Sequence, residues 1–237
     1  MQPIPTERRS CLYYVMSWHA GSTLQQKLDS GQHFSTADVG SIGIRLAKGL
    51  GALHRLNIVH RDIKPANLHQ GDDGKLRILD LGVATSAVTG GAQTTGNPGT
   101  PSFMAPELLS GDTANTQSDL YAAGVTLYHL LTRRYPYGEV EPFQRPRFGD
   151  PVPPTRYRPN IPQWLENIVL KAVAHDPGIR FETAEEMLLA LEIGERKPIL
   201  PPPHTPLMGR DPLLVWKWIA VFSLLANIGL ICMLVIS

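Results

Sequence analysis

The sequence predicts an α+β domain built mainly from helices, followed by one apolar helix at the C-terminus. Three observations lead to this prediction. Long segments carry apolar residues at three- and four-residue steps, which is typical of amphipathic helices. Only short apolar segments, on either side of a Gly-Asp-Asp-Gly turn, have the character of strands. Residues 218–236 contain no charged side chain, which is typical of a helix in an apolar environment.

Composition limits the classes of function. The chain has 237 residues, of which 43% are hydrophobic and 18% charged, enough for one sizeable domain with a buried core. A formal net charge of +1 argues against nucleic acid as the main partner, because no basic excess is present to meet phosphates. The only two cysteines, Cys11 and Cys232, lie in unlike contexts, so a reducing compartment fits better than a disulfide framework.

The first elements are a strand, a short helix and a long helix. Residues 11–18 (CLYYVMSW) predict a strand, and residues 19–28 turn into a short helix. Residues 35–57 predict an amphipathic helix, because Ser35 and Asp38 form a capping-box pattern at its start. Apolar residues then recur along one face of that helix: Val39, Ile42, Leu46, Leu50 and Leu53.

The middle of the chain combines a hairpin, a loop and further helices. The turn at residues 71–74 separates NLHQ from KLRILD and predicts a β-hairpin. Residues 85–100 have little periodicity and predict a long loop. Helices are predicted at 118–132, with Leu120, Gly124, Leu127 and Leu131 on one face, and, after a proline-rich irregular stretch from 135 to 162, at 162–175 and 183–192.

The C-terminal segment has the features of a membrane anchor. Residues 197–212 form a proline-stiffened linker. The apolar stretch Trp218–Ile236 is about as long as a helix that crosses a bilayer core. Trp216 precedes it, and Lys217 and Arg210 mark the preceding side as cytoplasmic. We therefore expect a single-pass anchor that contacts the lipid of the cytoplasmic membrane, with the soluble part in the cytoplasm.

The segment from residue 60 to 80 carries the groups that transfer of a phosphoryl group to a hydroxyl requires. Such a reaction needs a carboxylate to accept the hydroxyl proton, a cation beside the phosphates and oxygen ligands for a divalent metal. Asp62 is the candidate base, and Lys64 can reach the same side of an extended loop to steady the phosphate. Asn67 and Asp80 offer the oxygen ligands that Mg²⁺ prefers.

These residues resemble the catalytic core of eukaryotic-type (Hanks-type) Ser/Thr protein kinases in the form found in bacteria. Residues 60–67 (HRDIKPAN) match the HRDxKxxN catalytic loop, and Asp80-Leu81-Gly82 matches the DFG metal motif with Leu for Phe. Residues 99–107 (GTPSFMAPE) are similar to the end of the activation segment. The resemblance covers residues 12–191 and implies a protein-kinase-like fold, mainly its α-helical large lobe with little or no small lobe.

The resemblance implies roles for further residues around the catalytic loop. Thr100 would touch Asp62 and Lys64, which marks specificity for Ser and Thr over Tyr. Asp119 would brace the backbone of the catalytic loop, and Glu107 and Arg180 would form the buried ion pair of the family. The residues with a structural role are then His60, Arg61, Gly82, Glu107, Asp119 and Arg180.

The same resemblance implies a nucleotide site. Met16 would take the gatekeeper position, and backbone groups of Ser17 and His19 would face adenine. With Asn67 and Asp80 these residues would bind ATP and Mg²⁺. The implied reaction transfers the ATP γ-phosphoryl group to Ser or Thr hydroxyls of protein substrates.

Two threonines in the predicted loop are candidate phosphorylation sites. Thr94 and Thr95 lie upstream of the GTPSF sequence. A phosphate there could pair with Arg61 and order the segment. The alternative is that both threonines are solvated loop residues.

One part of the family's machinery is missing from this sequence. A Gly-rich loop, a strand lysine and its helix glutamate would all lie before Leu12, where this sequence has only eleven residues, which cannot replace a five-stranded lobe. We favour an N-terminally truncated form of a Ser/Thr kinase, because Asp62, Lys64, Asn67 and Asp80 are all present. The alternatives are a membrane-tethered pseudokinase acting as a binding scaffold and a small lobe supplied by another polypeptide.

Two segments suggest a further domain in the same gene. Residues 147–177 and 213–235 resemble bacterial proteins that join a phosphatase domain to a C-terminal kinase, so a phosphatase domain or partner is expected. The predicted organisation is a remnant of the small lobe and hinge (1–19), a kinase large lobe (20–194), a proline-rich linker (195–212) and a transmembrane helix (213–236).

Overall fold

The computed structural model describes residues 17–81, 85–86, 101–140, 148–203 and 216–225. The helices are α1 (Leu24–Asp29), α2 (Thr36–Arg55), α3 (Pro106–Leu109), α4 (Thr116–Thr132), α5 (Gln163–Ala172) and α6 (Ala184–Ile193). The strands are β1 (Gly21–Thr23), β2 (Ile58–Val59), β3 (Leu68–Gly71), β4 (Leu76–Ile78) and β5 (Thr85–Ser86). Residues 216–225 are also helical.

The strands form two small antiparallel sheets. The first has the order β1-β3-β4, and its β3–β4 hairpin confirms the prediction from the Gly-Asp-Asp-Gly turn. In the second sheet β2 pairs with β5. The prediction that the loop begins at Thr85 is therefore wrong for its first two residues, since Thr85 and Ser86 give the backbone groups of β2 their hydrogen-bond partners.

Helix α2 begins where its capping sequence predicts. The Ser35 hydroxyl accepts a hydrogen bond from the Asp38 N–H at 3.0 Å, and the Asp38 carboxylate accepts one from the Ser35 N–H at 2.9 Å. The Asp38 carboxylate also accepts from the Ser35 hydroxyl at 2.7 Å. This bond, and then the one from the Ser35 N–H, lowers the pKa of Asp38. Val39, Ile42, Leu46 and Leu50 lie in the core, which confirms the predicted face for these four residues. The fifth, Leu53, is only half-buried.

Helix α4 differs from the prediction because apolar neighbours surround it. Every residue from Ser118 to Tyr128 is buried, so the prediction of a single apolar face is incomplete. The helix also begins two residues earlier than predicted, since the Asn115 side chain caps it by accepting from the Ser118 N–H. A Cβ on Gly124 would lie 2.6 Å from that of Ala172, so glycine allows α4 and α5 to approach closely.

The core lies among the four longest helices of the described body. Helix α2 packs on α4 and α6, and α5 packs on the same two helices. Burying apolar area of this kind stabilises the fold by roughly 25 cal/mol per Å². A separate small cluster joins α4 to the segment around α3, through Phe103, Ala105, Leu108, Tyr121, Val125 and Val173. The larger cluster includes Ile63 and Leu68, which lie on either side of Lys64 and Asn67 in the chain.

Two predicted terminal elements lie partly outside the described residues. Of the predicted strand at 11–18, residues 11–16 are not among them, and Ser17 and Trp18 have no regular structure. Of the predicted span, residues 226–236 are not among them, whereas residues 216–225 are helical. Within the part of the chain that the structure describes, no helix has the length and apolar content needed to cross a membrane.

Candidate active site

The candidate base lies in the connection between β2 and β3. Oδ2 of Asp62 accepts hydrogen bonds from Nζ of Lys64 at 2.8 Å and from Nδ2 of Asn67 at 2.8 Å. The side chains of Asp62 and Lys64 are 15% and 23% exposed, so both are reachable from solvent but shielded enough to interact strongly. Asp62 Oδ1 is thereby left as the oxygen that can accept a proton from a substrate.

Asn67, one of the two predicted metal ligands, connects the base to the other, Asp80. Its Nδ2 group also donates to the Asp62 carbonyl oxygen at 2.8 Å. Because both of these bonds need N–H donors, they fix the orientation of the amide and direct its carbonyl oxygen away from Asp62. The Leu79 N–H donates to the Asn67 carbonyl oxygen at 2.8 Å, which places Asp80 beside Asn67. An amide oxygen and an exposed carboxylate are ligands that suit Mg²⁺.

A buried carboxylate holds the backbone that precedes Asp62. Asp119, 1% exposed in α4, accepts from the N–H of His60 at 2.8 Å and from the N–H of Arg61 at 2.9 Å. Nε2 of His54 lies 3.0 Å from the same carboxylate. Arg61 has a φ of 72°, a conformation that costs a non-glycine residue free energy and needs such support.

His60 has a structural role in the loop. Its Nδ1 accepts from the Asp62 N–H at 3.3 Å, so the ring proton is on Nε2, which donates to the Leu79 carbonyl oxygen at 2.9 Å. The ring is fully buried. His60 therefore joins the loop of Asp62 to the strand that leads into Asp80, without reaching a substrate.

Arg180 and Glu107 form a second buried charged group. Two parallel bonds join the guanidinium to the carboxylate, at 2.7 and 2.8 Å, and the side chains are 0% and 12% exposed. Arg180 also donates to the carbonyl oxygens of Ala174 and His175, and its guanidinium lies 4.8 Å from the ring centre of Tyr121. The structure thus contains the ion pair that the resemblance implied, and it anchors α3.

Several predicted site residues are not assembled by the described structure. Ser17 and His19 are exposed, in a segment without regular structure. The remaining predicted site residues lie outside the described residues: Met16, Gly82, Thr94, Thr95 and Thr100.

One contact of the site was not predicted from the sequence. The structure joins the side chain of His54 to that of Asp119. They are 65 positions apart in the sequence, and no local pattern marks such a pair. A histidine at the end of α2, six residues before His60, was the only available signal.

Comparison with known proteins agrees with this geometry. Residues 5–188 match the protein kinase domain family. A probable serine/threonine-protein kinase of Streptomyces coelicolor is 36% identical over 187 residues, which is 76% of this chain and 28% of that protein. The serine/threonine-protein kinase PrkC of Bacillus subtilis is 34% identical over 185 residues, again 76% of this chain and 28% of that protein.

A third relative shows the same pattern. The serine/threonine-protein kinase PknB of Mycolicibacterium smegmatis is 34% identical over 182 residues, which is 74% of this chain and 29% of that protein. The chain thus spans less than a third of the length of these relatives. Its match to the family model covers well over half of its own length, and the chain belongs to the protein kinase domain family.

Proposed function

We propose that the chain carries the catalytic groups of a Ser/Thr protein kinase, which transfers the γ-phosphoryl group of ATP to protein Ser or Thr hydroxyls. The observation that carries this proposal is the Asp62 carboxylate, oriented by Lys64 and Asn67 through one of its two oxygens. The names of the relatives, all of them serine/threonine-protein kinases, support the same reaction and the same class of substrate.

The reaction needs little from the protein beyond positioning and charge. The substrate hydroxyl oxygen forms a bond to the γ-phosphorus, the bond from that phosphorus to the bridging oxygen breaks, and ADP leaves. Asp62 accepts the hydroxyl proton on Oδ1. Lys64 lies close enough to Asp62 to offset charge on the transferred group.

The metal site would use the two oxygen ligands next to the base. Asn67 and Asp80 would hold Mg²⁺, which when bound neutralises charge on the phosphates of ATP. Asn67 would therefore have two tasks, since its amide nitrogen orients Asp62 while its amide oxygen would serve as a metal ligand. Asp119 acts indirectly, because it positions the backbone that carries Asp62.

The test is transfer of labelled γ-phosphate, with Mg²⁺, to a protein substrate rich in Ser and Thr. We expect Asp62→Asn to lower the rate by about 10²–10⁴-fold, the usual contribution of a general base. Asp72→Asn is the matched control, since Asp72 is an exposed aspartate in the hairpin turn, and should leave the rate unchanged. Equal rates for Asp62→Asn and the unaltered chain would overturn the proposal.

The assay should be run on this chain and on a form extended by the upstream sequence of its gene. Transfer only by the extended form would support the truncated-kinase hypothesis. Reading that upstream sequence also tests the hypothesis of a linked phosphatase domain. If neither form transfers phosphate or binds nucleotide, the result would favour the alternative, a pseudokinase that acts as a binding scaffold.

We also propose that the apolar C-terminal segment anchors the chain in the cytoplasmic membrane, with the remainder in the cytoplasm. Support comes from the uncharged stretch at 218–236 and from the exposed apolar side chains of the helix at 216–225, such as Phe222 at 65%. Flotation with lipid vesicles tests this. The full chain should float, and a form lacking residues 213–237 should not.

We also propose that phosphorylation of Thr94 or Thr95 regulates the kinase by ordering the segment that contains them. The catalytic loop offers Arg61 as the cation for such a phosphate. A phosphopeptide map of active protein in which both threonines are unmodified would contradict it.

A further inference from the structure

One end of the helical body gathers segments that are far apart in the sequence. Two arginines join the end of α4 and the stretch before α5 to the loop that precedes α2. The guanidinium of Arg133 donates to the Gln32 carbonyl oxygen at 3.0 Å, and that of Arg158 donates to the Phe34 carbonyl oxygen at 2.7 Å. The starts of α2 and α5 therefore meet the end of α4 at one end of the body.

The end of α6 and the first part of the proline-rich segment lie at the same end. A Cβ at Gly194, just after α6, would lie 2.8 Å from the ring of Trp164, near the start of α5. The side chain of Asn167, a residue of α5 that is 4% exposed, donates to the Ile199 carbonyl oxygen at 2.8 Å. Ile199 also packs against the main core. The first residues of the predicted linker are therefore bound to the body at this end.

This end carries an excess of positive charge. We call it the basic end and define it by four segments: residues 29–38, 133–134, 153–162 and 194–200. These segments contain six basic side chains: Arg133, Arg134, Arg156, Arg158, Arg196 and Lys197. They contain three carboxylates: Asp29, Asp38 and Glu195. All of the basic residues except Arg158 are exposed. Because the whole chain has a formal net charge of only +1, positive charge is concentrated here.

Two exposed side chains at the basic end suit the boundary between water and lipid. Tyr157, which lies between Arg156 and Arg158 in the sequence, is 47% exposed. Leu200, which follows Ile199, is 87% exposed. Aromatic rings with a polar tip, and apolar side chains beside basic ones, are typical of protein surfaces in the headgroup region of a bilayer. The surface therefore fits an anionic membrane better than a purely polar partner.

The proposed membrane anchor begins within reach of the basic end. Sixteen residues, 200–215, separate Ile199 from Trp216, so the chain between them can span at most about 60 Å. A tether of this length keeps the basic end at a high effective concentration beside the bilayer. Even weak attraction to anionic headgroups is then enough to bring this surface into contact with them.

We propose that the basic end docks on the anionic phospholipid headgroups of the membrane that anchors the chain. The inference rests on the proposed anchor and goes beyond it, because an anchor alone leaves the body free to turn. Helix α4 connects the catalytic loop to the basic end: Asp119 precedes Arg133 by 14 positions, about 21 Å along a helix axis. Docking therefore holds the candidate active site away from the bilayer, where protein substrates can reach it.

The test reports which surface of the body lies near the lipid. The full chain, with Cys11→Ser and Cys232→Ser, receives one fluorophore, either at His33→Cys in the basic end or at Asp112→Cys before the start of α4. Both positions are exposed. Each form is inserted into vesicles of phosphatidylcholine, with or without phosphatidylglycerol. Nitroxide groups on the lipid headgroups then quench a fluorophore that lies close to them.

We expect the label at position 33 to be quenched more strongly in anionic vesicles than in neutral ones, and the label at position 112 to show no difference. Raising the salt concentration to about 1 M, where the screening length is about 3 Å, should remove the effect. A triple variant, Arg156→Gln with Arg196→Gln and Lys197→Gln, should lower the docking equilibrium constant by about 10²-fold. Each basic side chain near an anionic surface contributes about fivefold.

A second triple variant is the matched control. Lys48→Gln with Arg55→Gln and Lys75→Gln removes the same charge from exposed positions outside the basic end. It should keep the quenching of the unaltered chain, because only the position of the charges differs. Equal losses in the two triple variants would show that net charge alone matters and would overturn the docking surface.

The outcomes also separate this inference from the anchor. If the chain floats with both kinds of vesicle and position 33 is quenched equally in both, docking is overturned and the anchor stands. If the chain binds neither kind of vesicle, both are overturned. If it binds anionic vesicles alone, and the triple variant of the basic end loses that binding, the docking surface is supported and the anchor is overturned.

Discussion

Asp119 and Arg180 are both buried charges that hold a loop in place, but they do so with different partners. Asp119 accepts from two backbone N–H groups and from His54. Arg180 donates to the side chain of Glu107 and to two backbone carbonyl oxygens. The first arrangement fixes the path of a backbone, and the second joins two opposite charges inside the fold.

The difference predicts which property each residue controls. A charge left alone in the interior costs much free energy, so loss of Arg180 should act mainly on stability. The backbone N–H groups that Asp119 holds belong to His60 and Arg61, the two residues before Asp62, so loss of Asp119 should act mainly on the geometry of the base. Both residues are buried, so it is the distance of each from Asp62 that decides whether its loss changes stability or catalysis.

Arg180→Met should have the largest effect on stability. It leaves the carboxylate of Glu107, only 12% exposed, without its counter-charge. We expect the free energy of unfolding to fall by about 3–5 kcal/mol, as for one-sided loss of a buried ion pair. Urea unfolding followed by circular dichroism measures it.

The double variant Glu107→Leu with Arg180→Met is the matched control. Because it removes both charges, it should recover a large part of the lost stability. A double variant as unstable as Arg180→Met alone would show that the bonds of Arg180 to Ala174 and His175 dominate. That result would contradict the role given to the ion pair.

Asp119→Asn should have a smaller effect on stability and a larger one on catalysis. One carboxylate oxygen becomes an NH₂ group that faces an N–H donor, so a buried donor loses its acceptor at a cost of about 1–3 kcal/mol. We expect kcat to fall by more than the unfolded fraction explains, because Asp62 is carried by the released backbone. Urea unfolding and phosphate transfer on the same preparation separate the two effects. An unchanged kcat in folded Asp119→Asn would remove the distinction between the two residues.

The catalytic loop and Asp119 show how much of the site could be predicted from the sequence. The catalytic loop is contiguous, and its residue types state their chemistry, so Asp62, Lys64 and Asn67 could be assigned before the structure was known. The hydrogen bonds that hold the loop run to Asp119 over 58 and 59 positions. Local periodicity does not determine such contacts, so only the resemblance to the kinase family implied that Asp119 braces the catalytic loop.

The same distinction holds for the secondary structure: elements with a complete local signal were predicted, and those that depend on other signals were not. The start of α2 was predictable because Ser35 and Asp38 are a complete local signal. Helix α4 began earlier than predicted, since its cap uses Asn115 and Ser118 in place of the usual Glu or Gln partner. Strand β5 was missed because it pairs with a distant strand, β2, in which Val59 is opposite Thr85 and Ile58 is opposite Ser86, and its two residues carry no strand pattern.

The smallest expected effect concerns the pH dependence of the Arg180 region. Burial, and then the charge of Arg180, lowers the pKa of His175, and burial lowers the pKa of His129. Unfolding returns each pKa to about 6.5. Below that pH the unfolded chain therefore takes up protons that the folded chain does not. The free energy of unfolding should be unaffected by these residues above pH 6.5 and should fall as the pH drops below it.

Urea unfolding at pH 7.5, 6.5 and 5.5 measures this slope. His175→Gln should flatten it between pH 6.5 and 5.5, because one group that must stay neutral in the folded state is gone. His33→Gln, at an exposed position, is the matched control and should keep the slope of the unaltered chain. Since the His175 carbonyl oxygen accepts a hydrogen bond from Arg180, a flattened slope would mean that acid weakens the Arg180 region through a residue bonded to it. An unchanged slope in His175→Gln would mean that the acid sensitivity of the fold arises elsewhere, and the comparison with Asp119 would then rest on the substitutions alone.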